Sequence, residues 1–325
     1  MQKRLCDYHD GEDMDLVALL KVVEPRTSQR GQHYLAITFS DQSGTLRGNL
    51  WQATKQDLAT FTPGTLVQIT GRRTTYHGQA QVTLDNLQVV GPNEGYDLGQ
   101  FVRSAPLPIA EAEEGISKKL FAIANPTWNR IVRYLLSKWH DRFFTYPAGK
   151  SNHHAVRAGL AFHTYTMLQV AAGLCKVYPQ LDESLLYAGC ILHDMGKVIE
   201  LSGPVSTQYT KNGNLIGHLV LIDEQIVLAA QHLGLDEKSE DLLLLRHMVL
   251  AHHGQLDYGS PKRPALLEAE ILHRIDDLDA SVYAITAALQ KTEPGNFTNP
   301  IPAQDNRRFY RPEHNQSLRK IKRLD

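Results

Sequence analysis

The stretch Ile191-Leu192-His193-Asp194-Met195-Gly196-Lys197 combines the side-chain types that chemistry at phosphorus needs. An imidazole beside a carboxylate offers mixed nitrogen and oxygen ligands to a divalent cation such as Mn²⁺, Fe²⁺ or Zn²⁺. The apolar run is expected to end a helix at this pair, with Gly196 letting the helix stop. Lys197 is then expected to project from the same turn as a mobile positive charge suited to a phosphate.

Partners for the pair recur along the chain. There are fifteen histidines, most of them after residue 150. His163, His218, the adjacent His252-His253 and Asp276 each fall in a different apolar segment of helical periodicity. A lone histidine on an apolar helix is usually a satisfied core residue, but helical bundles build metal sites from side chains on facing helices, as one ligand per helix would do. No Gly-rich loop precedes a Lys-Ser or Lys-Thr pair, and no Ser-His-Asp or Cys-His signature stands out, so a protein nucleophile is not indicated.

The elements that must hold this set are read as helices over Leu160 to Tyr178, Glu183 to His193, Ile216 to Leu233, Glu240 to His252 and Leu266 to Leu289, separated by Gly, Pro or Asp clusters. Two more, Ile116 to Ala124 and Pro126 to Arg142, are expected to pack onto them. The first ninety residues differ. Alternation at His33 to Ser40 and Thr45 to Trp51 across Asp41-Gln42-Ser43-Gly44 marks a hairpin. A first strand near Leu16 to Glu24, a helical piece at Thr54 to Thr60, and strands Thr65 to Gly71 and Gln79 to Leu84 around His77-Gly78 complete five strands, the order of an OB-type barrel. The fold expected is α+β and multidomain, a five-stranded barrel followed by an all-α bundle.

Barrels of this kind hold single strands on a basic groove with aromatic platforms. Tyr34, Trp51 and Tyr76, with Arg47, Arg72 and Arg73, supply both kinds of group, although each taken singly also suits a barrel core or a solvated face. The formal net charge of -1 excludes a uniformly basic nucleic-acid binder, so binding must rest on such a patch.

Expected boundaries are 1-92 for the barrel, 93-147 for a linker and connecting helices, 148-290 for the bundle and 291-325 for a basic tail. Within the second segment, the stretch to Gly115, with Pro106, Pro108 and acids from Glu111 to Glu114, is expected as linker. The tail carries seven Lys/Arg against three acids from Asn296 on, read as solvated or as extra phosphate contacts, with extended packing through Phe309-Tyr310. Cys6, Cys175 and Cys190 lack metal-ligand spacing and are read as reduced, mostly buried thiols; with no signal-like N-terminus or spanning run, a cytoplasmic location is expected.

The order His163, His193-Asp194, Asp276 resembles the H…HD…D pattern of the HD phosphohydrolase superfamily, and the intervening His218 and His252-His253 resemble its two-metal subset. A barrel ahead of such a domain, with His153-His154…Gly159-Leu160…His163, the run from Leu192 to Gly203, the run from His247 to Gly254 and the run from Asn306 to Pro312, resembles the YhaM family of bacterial 3′→5′ exoribonucleases. That resemblance implies His163, His193, Asp194 and Asp276 on one metal, and Asp194, His218 and His252 on another, Asp194 bridging and His253 a ligand or neighbour. The two divalent ions would be Mn²⁺ foremost, with Fe²⁺, Co²⁺ or Zn²⁺ as other fits. Asp194 and Lys197 would be catalytic, Lys197 neutralising the scissile phosphate. His154 and Arg157 would contact substrate phosphate. Asp279, one turn from Asp276, would bind substrate or orient a ligand histidine, and Asp277 would face solvent.

The activity implied is metal-dependent 3′→5′ removal of nucleoside 5′-monophosphates from single-stranded RNA, with single-stranded DNA as an alternative strand, no membrane partner, and homo-oligomerisation left open. Two rivals stand beside it: a phosphohydrolase of cyclic nucleotides or dNTPs, and a single-strand DNA-binding accessory factor with a vestigial site. The filled ligand positions count against the second.

Overall fold

The barrel begins with β1 (Asp13–Thr27), longer at both ends than alternation alone indicates. It is followed by β2 (His33–Asp41), β3 (Gly44–Trp51), the short helix α1 (Lys55–Thr60), β4 (Leu66–Tyr76) and β5 (Gln79–Val89). The computed structural model describes residues 3–28, 31–91, 94–96, 98–150 and 155–314. It divides into two compact units: Met1–Ser104 with Pro204–Ser206, and the residues between and beyond.

In the first unit the strands close in the order β1-β2-β3-β5-β4. All neighbours are antiparallel except β3 and β5, which meet in parallel at Arg47↔Gln81 and Gly48↔Val82. Gly48 permits this seam, since a Cβ there would press on the Val82 side chain. Leu35, Ile37 and Phe39 alternate inward from β2 and meet Leu16, Ala18, Leu20, Val67, Ile69 and Val82 in the barrel core. The His77-Gly78 hairpin adopts positive φ at both residues, as expected of a two-residue turn. Thr54 caps α1 by accepting from the Asp57 N–H at 3.1 Å.

In the second unit, helices α2 (Ile109–Ala122), α3 (Pro126–Lys138), α4 (His140–Thr145), α5 (Gly159–Val177), α6 (Glu183–Leu192), α7 (Lys197–Glu200), α8 (Lys211–Leu215), α9 (His218–His232), α10 (Glu240–Ala251) and α11 (Leu267–Gln290) follow one another. Every residue of α6 from Leu185 to Leu192 is buried. A helix apolar on all sides must sit at the centre, and α2, α3, α5, α10 and α11 pack around it. Burying each of its large side chains contributes roughly 1.5–3 kcal/mol. This central helix delivers His193 at its end.

Two expectations are corrected. Residues 109–115 are the first half of α2, not linker: Ala112, Ile116 and Leu120 bury one stripe, while Glu111 and Glu114 face solvent. Their acidic composition marks a helix's outer face and favoured first turn. The expected single helix Pro126 to Arg142 breaks at Trp139, whose φ of -112° and ψ of 16° depart from helical values between α3 and α4.

The tail is not merely solvated. Phe297 bridges Tyr310 and Ile301 bridges Arg307. Arg308 donates to the Thr298 carbonyl at 2.9 Å and Arg311 to the Leu289 carbonyl at 3.2 Å. The remaining basic residues of the tail, and His153 and His154, lie outside the described residues. Of the thiols only Cys190 is buried; Cys6 is exposed, against the expectation of mostly buried cysteines. No helix among the described residues is long and apolar enough to cross a membrane.

Candidate metal centre

Five helices converge on the predicted ligands. His163 sits inside α5, His193 caps the end of α6, and Asp194 follows in the next turn. His218 opens α9, His252 caps the end of α10, and Asp276 lies in α11. His163, His193, Asp194 and His252 are all at most 3% exposed. Gly196 has φ -57°, an ordinary right-handed conformation. It is glycine because a Cβ there would collide with the His218 carbonyl oxygen. That close approach is what brings the start of α9 beside Asp194.

Asp194 presents its two oxygens to two different groups. Oδ2 lies 3.5 Å from His193 Nε2 and 3.8 Å from His163 Nε2. Oδ1 lies 3.4 Å from His218 Nε2 and 3.8 Å from His252 Nε2. Asp276 Oδ1 approaches His163 Nε2 at 3.1 Å, and the Nε2 atoms of His163 and His193 are 3.3 Å apart. Ligand atoms within 4.8 Å of one another form three overlapping sets: His163, His193 and Asp276; His193, Asp194 and His252; and His218, His252 and His253.

Each of the four buried imidazoles has its other nitrogen held. Nδ1 of His193 donates to the Cys190 carbonyl at 2.9 Å, and Nδ1 of His252 to the Val249 carbonyl at 2.7 Å. Nδ1 of His163 meets Asp279 Oδ2 at 2.7 Å and Nδ1 of His218 meets Glu200 Oε1 at 3.1 Å. These acceptors face the Nδ1 atoms, so every Nε2 points inward, as a lone pair where the ring is neutral.

These residues fit divalent metal. Nε2 of His218 and of His252 are buried with no hydrogen-bond partner, an arrangement that costs free energy unless another group takes the lone pair. Three imidazole nitrogens or two with a carboxylate are the donors that borderline divalent cations bind.

The charges are strongly coupled. Burial would raise the Asp194 carboxyl, but the Lys197 ammonium and the imidazoles of His193 and His218 hold it well below the usual carboxylate range. Burial would lower His163, yet hydrogen bonds to Asp276 and Asp279 bring it up to about 10. Asp276 is held far down, against its burial, by His163 and His193. Burial lowers His252, which stays neutral.

Lys197 differs from expectation. It is 8% exposed, and its Nζ lies 2.6 Å from Asp194 Oδ2, so it is a buried counter-ion and not a mobile charge. The reason is that the chain continues through α7 after Gly196, turning the lysine inward. Asp279 bonds the His163 ring, and Asp277 is exposed. His253 joins the His218 and His252 set. Arg157 is half-buried, with its carbonyl accepting from Ala105 N at 2.9 Å. Glu200 was assigned no role from the sequence. Its one signal was a carboxylate inside the apolar turn Val198-Ile199-Glu200-Leu201, one helical turn past Lys197.

On the barrel, Tyr34 and Trp51 are cross-strand partners with ring centroids 4.7 Å apart. Trp51 is 55% exposed and Tyr76 62%, so neither belongs to the core. Arg47 shares the outer face of β3 with Trp51 and donates to Gln79 at 3.3 Å. Arg72 is paired with Asp13 at 2.8 Å and Arg73 with Asp10 at 3.7 Å, which offsets part of the expected positive patch.

Residues 160–281 match the model of the HD domain. A protein of Bacillus licheniformis named 3'-5' exoribonuclease YhaM is 42% identical over 96% of this chain and 99% of its own length. Proteins of the same name from a Geobacillus species and from Bacillus pumilus are 41% and 43% identical, each over 96% of this chain. Among solved structures, the second OB-fold domain of replication protein A from Methanococcus maripaludis is 13% identical over 30% of this chain, with a TM-score of 0.24.

Proposed function

The chain belongs to the YhaM family of 3′-5′ exoribonucleases, and from that membership we propose that it shortens single-stranded RNA from its 3′ end, releasing nucleoside 5′-monophosphates, with single-stranded DNA as an alternative strand. The observation that carries the chemistry is Asp194, a buried carboxylate with one oxygen toward His163 and His193 and the other toward His218 and His252. That arrangement suits two metal positions sharing Asp194, the first completed by Asp276 and the second by His253.

Two divalent cations, Mn²⁺ by preference, would supply there a lowered water pKa and neutralisation of charge on the phosphoryl oxygens. The chain's own residues do the rest. His193 and His252 hold their Nε2 atoms inward by bonding their own helix carbonyls, and Asp279 does the same for His163. Lys197, fixed on Asp194, keeps a positive charge beside the position where the scissile phosphate must sit. Arg157 is the remaining described candidate for a phosphate further along the strand. His154, the other, lies outside the described residues.

In this reading residues 1-92 bind the strand and 148-290 hydrolyse it, joined by 93-147. The three free thiols suit the reducing cytoplasm as the site of action. The test is a 5′-labelled single-stranded RNA incubated with Mn²⁺ and the protein. A ladder shrinking by single nucleotides is expected, abolished by chelator and by a blocked 3′ end. An internal fragment as the first product overturns the exonuclease reading.

The Tyr34–Trp51 pair is proposed as a base-stacking platform. Trp51→Ala is expected to weaken RNA binding by roughly 1–3 kcal/mol, about 5- to 150-fold in Kd, with an unchanged salt slope because no charge is removed. Arg47→Ala should instead flatten the salt slope. Fluorescence anisotropy at several salt concentrations separates the two, and parental affinity in Trp51→Ala would remove the platform from the reading.

A further inference from the structure

We propose that Glu200 is a positioning residue for the metal position built on His218 and His252, fixing which nitrogen of His218 faces inward; this rests on the two-position reading above.

The four imidazoles do not face the same problem. His193 and His252 end their helices, so each Nδ1 reaches back to a carbonyl three residues earlier, Cys190 at 2.9 Å and Val249 at 2.7 Å. Such carbonyls are available because the last turn of a helix leaves them without intrahelical partners. His163 lies mid-helix, where the carbonyls behind it are already bonded, and it borrows the carboxylate of Asp279. His218 is the first residue of α9, so no earlier turn of its own helix offers a carbonyl. Its ring is held from another element.

Glu200 does this twice over. Its Oε1 accepts from the His218 ring at 3.1 Å and from the His218 main-chain N–H at 3.2 Å. The second bond satisfies one of the amides that open α9, which ties ring and backbone to a single oxygen. Glu200 is itself held: it is 8% exposed, and its carbonyl accepts from Thr210 N at 2.8 Å. Gly213 is packed so closely on it that a Cβ would run into the Glu200 carbonyl. The four-residue α7 therefore serves both oxygens of Asp194, through Lys197 on Oδ2 and through Glu200 and His218 on Oδ1.

Outer groups that orient metal-binding histidines typically account for 10- to 100-fold in metal affinity. Two readouts on Glu200→Ala and Glu200→Gln test the assignment. In metal-free, ¹⁵N-labelled full-length protein, long-range ¹H–¹⁵N correlation reports the His218 tautomer: Nδ1–H is expected in the parent and in Glu200→Gln, whose amide oxygen still accepts, and its loss is expected in Glu200→Ala. Equilibrium dialysis against Mn²⁺ is expected to give two ions per parent chain, with one weakened about 10- to 100-fold in Glu200→Ala and less in Glu200→Gln. Asp279→Asn should weaken the other ion.

A His218 tautomer and both Mn²⁺ affinities unchanged in Glu200→Ala overturn the proposal. Should Glu200→Ala not fold, Glu200→Gln decides it: both affinities at the parental value count against Glu200, and selective weakening of one supports it. A parent that binds a single ion would remove the two-position reading alone, since the tautomer is read without metal and still decides whether Glu200 sets the ring.

Discussion

Replacing Asp194 with Asn is expected to slow RNA hydrolysis by roughly a thousandfold or more, because one side chain faces all four buried imidazoles and no neighbour can take over both of its oxygens. The same change should lower the melting temperature of the metal-free protein. Lys197 Nζ, 2.6 Å from Asp194 Oδ2, would keep a buried positive charge with its closest counter-ion gone, a situation that costs about 3–5 kcal/mol. Adding Lys197→Met should therefore recover stability without recovering activity. Thermal unfolding and the labelled-RNA assay on the single and double variants separate the two effects. Activity within tenfold of the parent in Asp194→Asn would sink the assignment of this residue to the reaction.

Metal loading should depend steeply on pH at one position and hardly at the other. In the metal-free protein burial works against protonated His163, but Asp276 and Asp279 outweigh it and raise the ring to about 10. The stability this contributes is complete below the ordinary value of 6.5 and is lost as pH rises through about 10. Asp194 and Asp276 act in the opposite sense: their lowered values stabilise above the usual carboxylate range, and the benefit is lost as pH falls into strong acid. A metal at the position of His163, His193 and Asp276 must displace the His163 proton, so its apparent affinity should rise about tenfold per pH unit between 6.5 and about 9. His252, already neutral through burial, asks for no such exchange. Calorimetry at neutral pH in buffers of differing ionisation heat should find close to one proton released for the ion bound at the His163 position. No release, with a flat affinity, would contradict the protonation of His163.

Much of this was legible in the chain. The five helices that carry ligands were bounded to within about two residues, because their apolar periodicity coincides with Gly, Pro and Asp punctuation, whereas β1, β4 and β5 run three to five residues beyond the stretches that alternation marks. His163, His193, Asp194, His218, His252 and Asp276 were picked out by residue type and order, and the fold brings their side chains together. What composition misread was α2, whose acids looked like a solvated spacer until the buried stripe of Ala112, Ile116 and Leu120 explained them. Lys197 and Glu200 failed for a different reason. Whether a lysine after Gly196 points outward or inward depends on how closely α9 approaches that glycine, a tertiary contact with no local sequence pattern. The ion pairs of Arg72 with Asp13 and Arg73 with Asp10 are likewise set by strand register and loop geometry, not by composition.

The parallel seam between β3 and β5, two residue pairs long, gives the barrel a built-in compliance. It carries far fewer cross-strand bonds than the antiparallel ladders beside it, so it is the part of the wall that opens at least free-energy cost. Trp51 stands at the end of β3 three residues past that seam, where β5 no longer constrains the strand. Under the proposed reading, a platform on such a yielding wall would adjust its spacing to purines and pyrimidines alike, the mechanical counterpart of binding a strand without regard to its sequence.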